Sequence, residues 1–173
     1  MKRFINVILT ILLVMTITGC GAKGSTAEVE DTNGDGKLTC TLEVKCDTLL
    51  AQLDKLQKDK AALVPKDGVI LKETEIEFEA GASVFDVFRK VLKEQKIHFE
   101  YTDASMYDTV YIEGIANLYE FDCGKQSGWM FSVNDTYPGL GCSSYTLSDG
   151  DSISFRYTCN LGADLGAKKV NEK

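Results

Sequence analysis

The sequence predicts an α+β domain, and three observations carry that reading. Residues 84–92 place Val84, Phe85, Val87, Phe88, Val91 and Leu92 at helical spacing. Several other segments, on both sides of that helix in the chain, alternate apolar and polar residues as half-buried strands do. At 173 residues, 44% hydrophobic and 26% charged, the chain suits one globular domain plus an appendage.

The appendage is the N-terminus. Lys2 and Arg3 precede an apolar stretch over 4–17, short of the about 20 residues that a membrane span needs. Ile17-Thr18-Gly19-Cys20 resembles the bacterial lipobox. The resemblance implies a signal peptide over 1–19 and lipidation of the Cys20 thiol at a new N-terminus. A secretory signal cut elsewhere or an uncleaved anchor is the alternative. Two acyl chains give stable anchoring where one is marginal, so the expected location is the extracytoplasmic face of the cell membrane. The 19 Lys and Arg against 26 Asp and Glu give a net charge of −7, and loss of Lys2 and Arg3 leaves 17 against 26, or −9. That balance argues against nucleic acid as a partner, since phosphate binding needs a basic face. Residues 20–37 read as a flexible acidic tether. Within it, Asp31, Asn33, Asp35 and Gly36 copy the first half of a calcium loop, but Leu42 stands where a bidentate acid is required. A solvated linker is expected there, and no metal site.

Residues 38–46 alternate, with Cys40, Leu42, Val44 and Cys46 on one face, and predict a strand. Asp47 or Thr48 can cap a helix over 48–58 with Leu49, Leu50, Leu53 and Leu56 at helical spacing. Pro65-Lys66-Asp67-Gly68 marks a turn, followed by a short apolar run over 69–71. Residues 74–79 alternate again, with Ile76 and Phe78 inward and Glu75, Glu77 and Glu79 outward. Ser83 and Asp86 resemble a capping box for the core helix, with Asp in place of the usual Glu or Gln, and Lys93 and Lys96 suit its C-terminal end. Strands are predicted over 97–101 and 109–113, with His98 exposed on the face opposite Ile97 and Phe99. Residues 114–128 read as loop with a helical turn over 116–119. Trp129, Phe131 and Val133 then share one face of a strand, Asn134 to Gly139 carry turn chemistry, and Asp149-Gly150-Asp151 turns into a last strand with Ile153, Phe155 and Tyr157 on one face. The domain is expected to span 38–161, with a disordered tail over 162–173.

Apart from the 48–58 helix, this order is that of a β-grasp: a mixed sheet curling around one helix, its first and last strands adjacent and parallel at the centre. Cys46 and Cys159 close those two strands, which predicts one disulfide. Cys123 and Cys142 flank the Trp129 strand and its loop, which predicts a second and leaves Cys40 over. The cysteine spacings match no Cys-x-x-Cys zinc or redox motif.

Cys46-Asp47-Thr48-Leu49, Ser83-Val84-Phe85-Asp86-Val87, Tyr111-Ile112-Glu113-Gly114-Ile115, Phe121-Asp122-Cys123-Gly124, Ser127-Gly128-Trp129-Met130 and Asp149-Gly150-Asp151 together resemble the transcobalamin-C-terminal-like (DUF4430-type) domain of bacterial cell-surface proteins. The resemblance covers about residues 40–161 and implies a ligand-binding β-grasp domain. The animal cobalamin carriers end in a similar domain, where loops near a Trp-bearing strand meet one face of the corrin. On this chain the match falls on Trp129, Phe131, Leu140, Gly141, Tyr145 and Asp149-Gly150. The chain departs from the carriers in having no α-helical barrel to hold the other face of such a ligand.

Two functions follow as expectations. One is a lipid-tethered binding module for a small molecule such as cobalamin or another corrinoid. A flat macrocycle needs apolar and aromatic area with a few orienting polar groups, which Trp129, Phe131, Asn134, Tyr137, Leu140, Gly141 and Tyr119, with Ser132, can supply. For Trp129 the competing role is a core residue. The other function is a structural or adhesive envelope module that binds a protein partner. No catalytic constellation is apparent: a nucleophile needs a neighbouring base, and His98 has no Ser or Cys partner in its sequence context.

Overall fold

The first strand, β1 (Leu38–Lys45), is the centre of the structure, a computed structural model that describes residues 37–104 and 109–167. Its inward residues Cys40, Leu42 and Val44 are buried, as the alternation predicts. It pairs antiparallel with β2 (Val69–Phe78) and parallel with β7 (Asp151–Thr158), and β6 (Gly128–Val133) completes a four-stranded sheet in the order β2-β1-β7-β6. The expected adjacency of first and last strands is therefore present, with Leu42 opposite Ile153 and Val44 opposite Phe155. The apolar run over 69–71 and the strand over 74–79 are one continuous strand.

Helix α1 (Val84–Glu94) buries the six residues that its spacing predicts. Its capping box forms: Asp86 N donates to Ser83 Oγ at 3.2 Å, and Ser83 N donates to Asp86 Oδ2 at 3.0 Å. Phe88 lies 4.3 Å from the Phe155 ring and 5.3 Å from the Phe99 ring, while Phe85 meets Tyr101 at 4.9 Å. The helix thus packs between the first sheet and a second one, in which β3 (Phe99–Ala104), β4 (Thr109–Ile115) and β5 (Leu118–Tyr119) follow in order. His98 is exposed as expected but has partners, Glu100 Oε1 at 2.9 Å and Tyr119 Oη at 3.3 Å.

The capping box supports a prediction. Hydrogen bonds from the Ser83 hydroxyl and then the Ser83 backbone N–H hold the Asp86 carboxyl below its ordinary value, with Arg89 adding to the effect. A depressed folded pKa contributes stability that is complete above the ordinary carboxylate range and is lost as pH falls through the folded value. Ser83→Ala should cost about 1 kcal/mol at neutral pH and flatten the loss of stability on acidification. Urea midpoints measured at neutral and acidic pH check both effects.

Where the structure differs from the sequence-based expectations, the causes are tertiary. The α+β class holds, but the strands form two sheets in place of one mixed sheet. After β5, Phe121 (φ 67°) and Gly124 (φ 106°) turn the chain away before β6 begins. The expected helix over 48–58 is absent: 3-10 turns at Asp47–Ala51 and Ala61–Leu63 stand in that region. Only Leu49 and Leu56 of its four leucines are buried. Gln57 N donates to Asp122 O at 3.3 Å and Lys60 Nζ to Asn117 O at 2.9 Å, so the segment is tied to the second sheet. The turn over 116–119 is not helical either. Ile115 pairs with Leu118 across Ala116 (φ 51°) and Asn117 (φ 62°), the positive φ pair of a two-residue hairpin.

The tail expected to be disordered from 162 instead forms a 3-10 turn at Ala163–Leu165, and Asp164 accepts from Thr158 Oγ1 at 2.5 Å and from Cys159 N at 2.8 Å. The two predicted cysteine pairings are not formed, and all five described cysteines are thiols. Cys123 faces Cys159 because Gly128 pairs with Thr158 and brings the loop before β6 to the end of β7. Cys142 is turned towards Val110 O, on β4. The signal peptide, Cys20, the tether to residue 36 with its calcium-like half-loop, and residues 168–173 lie outside the described residues. Among the described residues, no helix is long and apolar enough to cross a membrane.

Candidate functional site

Among the described residues, strand β6 is an edge strand, paired in its sheet with β7. Beyond its other edge lies β4, and the loop over 137–142 joins the two, enclosing a cleft of about 200 Å³. Trp129 and Phe131 from β6, Tyr137, Leu140 and Gly141 from the loop, and Val110, Tyr111 and Ile112 from β4 line it. No charged side chain is among its walls.

Local interactions fix the loop. Asn134 (φ 50°) and Asp135 (φ 60°) turn the chain out of β6, with Val133 N donating to Thr136 O and Thr136 N to Val133 O. On the return, Phe85 N donates to Cys142 O and Val84 N to Tyr145 O, both at 3.0 Å, so the first amides of α1 hold the loop carbonyls. Ser143 Oγ accepts from Val110 N at 2.9 Å and lies 3.0 Å from Thr109 Oγ1, which ties the loop to β4. Gly141 passes so close to Thr109 that a Cβ would collide with its side chain. Leu140, between Gly139 and Gly141, is left 57% exposed on the lip.

Five of the seven residues that the sequence singles out come together in this cleft: Trp129, Phe131, Tyr137, Leu140 and Gly141. Trp129 is also a core residue: it is 7% exposed, its Nε1 donates to Leu118 O at 2.8 Å, and its ring meets Tyr157 edge-on at 5.2 Å. Phe131 packs on Phe155 and is met by Tyr145 at 6.4 Å. Asn134 stands outside the cleft, its amide giving Nδ2 to Asp151 Oδ1 and accepting at Oδ1 from Ser152 N. Tyr119 is also elsewhere. Its hydroxyl donates to Glu100 Oε1 at 2.7 Å, and that bond pushes its pKa up to about 12. Asp149 closes the sheet by accepting from Thr39 N at 2.8 Å.

The β4 wall is absent from the sequence-based expectation, because contact between two sheets leaves no period in either strand. Tyr111 is the one polar group added there, and its hydroxyl donates to Glu120 Oε2 at 2.6 Å. Cys142 borders the cleft as a thiol that burial pushes up to about 11, far from a thiolate nucleophile at neutral pH. Of the larger concavities, two are lined by charged groups of both signs. One holds the Arg156–Asp47 pair at 2.5 Å and the Lys45–Glu43 pair at 2.5 Å, and the other the Lys37–Glu77 pair at 2.8 Å. The apolar cleft, with its exposed leucine lip, is the better candidate.

Fold and cleft together define a class: a small α+β domain with an apolar recess between the edges of two sheets. Residues 81–159, somewhat under half of the chain, match the family model described as a Domain of unknown function (DUF4430), the family that the sequence motifs resemble. The match runs from the turn before α1 through β7, so β1 and β2 precede it. Among solved structures the chain is similar to haptocorrin in complex with Cbi, with TM-score 0.54 and 16% identity over 75% of this chain and 27% of that one. The chain therefore spans about a quarter of haptocorrin, and the likeness shows the fold. It is also similar to a Ruminococcus gnavus ATCC 29149 protein provisionally described as metal-binding, with TM-score 0.39 and 16% identity over 70% of this chain and 96% of that one, a similarity too low to carry an argument. No curated protein matches the sequence.

Proposed function

We propose that this is a ligand-binding domain, β-grasp-like in fold, whose cleft takes one ring-sized apolar group of a larger molecule, and that the larger molecule is a corrinoid. The observation that carries the reading is the enclosure of an uncharged recess of about 200 Å³ by Trp129, Phe131, Tyr137 and Leu140 against β4. Size narrows the ligand. An apolar cavity of about 150 Å³ holds benzene, whereas pockets for whole drug-sized ligands run to about 300–1,000 Å³. The recess thus admits a ring or a side arm, and a macrocycle would lie across the Leu140 lip. The haptocorrin likeness supports the reading through the fold alone. The uncharged walls and the protonated Cys142 thiol support reading the cleft as a place for binding. The domain is anchored outside the cytoplasm by a diacylated Cys20, and Cys20→Ser should move the protein from the membrane fraction to the soluble one.

Isothermal titration of the purified chain with cobinamide and with cyanocobalamin tests the ligand. Saturable heat that Leu140→Glu abolishes supports the reading. No heat at high micromolar concentrations of either compound overturns the corrinoid assignment. Binding of an envelope protein that Leu140→Glu abolishes, without small-molecule binding, would make the module adhesive, the cleft then accepting an apolar side chain.

A further inference from the structure

Two sulfurs from distant segments meet beside an open concavity of about 440 Å³. Cys123 lies in the loop between β5 and β6, and Cys159 follows β7. Their Sγ atoms are 3.3 Å apart, with the Cys159 thiol donating to Cys123. The backbone sets this approach. Gly128 pairs with Thr158, Leu161 N donates to Gln126 O at 2.9 Å, Cys123 N donates to Ser127 Oγ at 3.1 Å, and Cys159 N donates to Asp164 Oδ2 at 2.8 Å. Each cysteine is therefore held by its own local bonds, and the strand ladder holds the two segments together. A disulfide has its sulfurs about 2.05 Å apart, so closure needs little more than side-chain rotation. The other thiols among the described residues are placed elsewhere: Cys40 and Cys46 are buried on or beside the inner face of β1, and Cys142 faces Val110 O.

We propose that Cys123 and Cys159 form a disulfide, and that the bridge belongs to the mature protein. The oxidant is a disulfide RS–SR, of a small thiol or of an oxidoreductase. The two protein thiols and RS–SR give Cys123–S–S–Cys159 and two RSH, by way of a mixed disulfide on the more exposed Cys159. Burial, then the adjoining Cys123 sulfur and Asp164, pushes the Cys159 thiol up to about 12, so unaided exchange at neutral pH is slow and a catalyst or long exposure is required. The bridge encloses β6, the 137–142 loop and β7 in one covalent ring, which restricts the unfolded chain and fixes the start of the strand that carries Trp129. This inference stands apart from the ligand reading.

The test uses the full chain purified without reductant, incubated with oxidised glutathione and a protein disulfide isomerase, alkylated, digested and analysed by mass spectrometry. The expected product is one peptide pair joining Cys123 to Cys159, two hydrogens lighter than the separate peptides, with Cys40, Cys46 and Cys142 alkylated. Dithiothreitol should then lower the Tm by about 5–15 °C. Cys123→Ser should remove that response and Cys142→Ser should keep it. The wild-type peptide map decides the pairing even if a variant does not fold. A Cys123–Cys142 or Cys46–Cys159 peptide, or alkylation of both Cys123 and Cys159 after oxidation, overturns the proposal.

Discussion

Trp129→Ala should destabilise the fold by about 3–5 kcal/mol, whatever ligand the cleft takes. The indole is buried against Tyr157, and its N–H satisfies the Leu118 carbonyl in a residue with no exposure of its own. Removal empties an aromatic volume where β6 meets β5 and leaves that carbonyl without its donor. Trp129→Phe keeps most of the apolar volume and loses the hydrogen bond, so about 1 kcal/mol is the expected cost. Urea unfolding of the two variants separates these contributions. Equal, small losses would show that Trp129 is a surface contact and not a supporting residue. The distinction bears on any binding experiment, because a lost ligand in Trp129→Ala would report unfolding. Leu140, exposed on the lip, is the cleaner probe.

Gly141→Ala is the second large effect, and it should act on the cleft more than on the core. The added methyl would collide with Cβ, Oγ1 and Cγ2 of Thr109, a branched side chain with no far end to swing away. The loop must then back off from β4, breaking the Ser143 contacts to Val110 N and Thr109 and opening the recess. Overpacking of this kind costs about 1–3 kcal/mol. Amide hydrogen exchange should show faster exchange at Val110 and around residues 141–144, with protection of β1 unchanged. Faster exchange at β1 would mean that the loop is part of the global folding unit and not a separate flap.

The elements most legible in the sequence are those built by local rules. Helix α1 combines a 3.6-residue apolar period with a capping box at its start, and both signals point to the same residues. β1 and β7 show their inward faces by alternation, and the likeness of the element order to a β-grasp places them side by side, as they are. The segment after β1 misleads because its leucines do fall at helical spacing, while Gln57 and Lys60 are drawn to Asp122 and Asn117 and only Leu49 and Leu56 find a core. The Ala116-Asn117 hairpin is hidden because Ala occupies a positive-φ position where Gly or Asn is the usual signal. The cysteine pairing fails for a related reason: flanking a strand in sequence is not proximity, and the β6–β7 ladder decides which sulfurs meet. In the cleft, the β6 and loop residues are visible through the family resemblance. The β4 wall is visible only once the two sheets are placed together.

The central claim is that the recess between β4 and β6, under the 137–142 loop, is where this domain holds its ligand. Amide NMR spectra recorded during a cobinamide titration test it most directly. The account predicts saturating shift changes confined to residues 110–112, 129–131 and 137–142. Saturating changes centred instead on the groove of Glu77, Asp86 and Lys90, or on that of Glu43, Asp47 and Arg156, would contradict it.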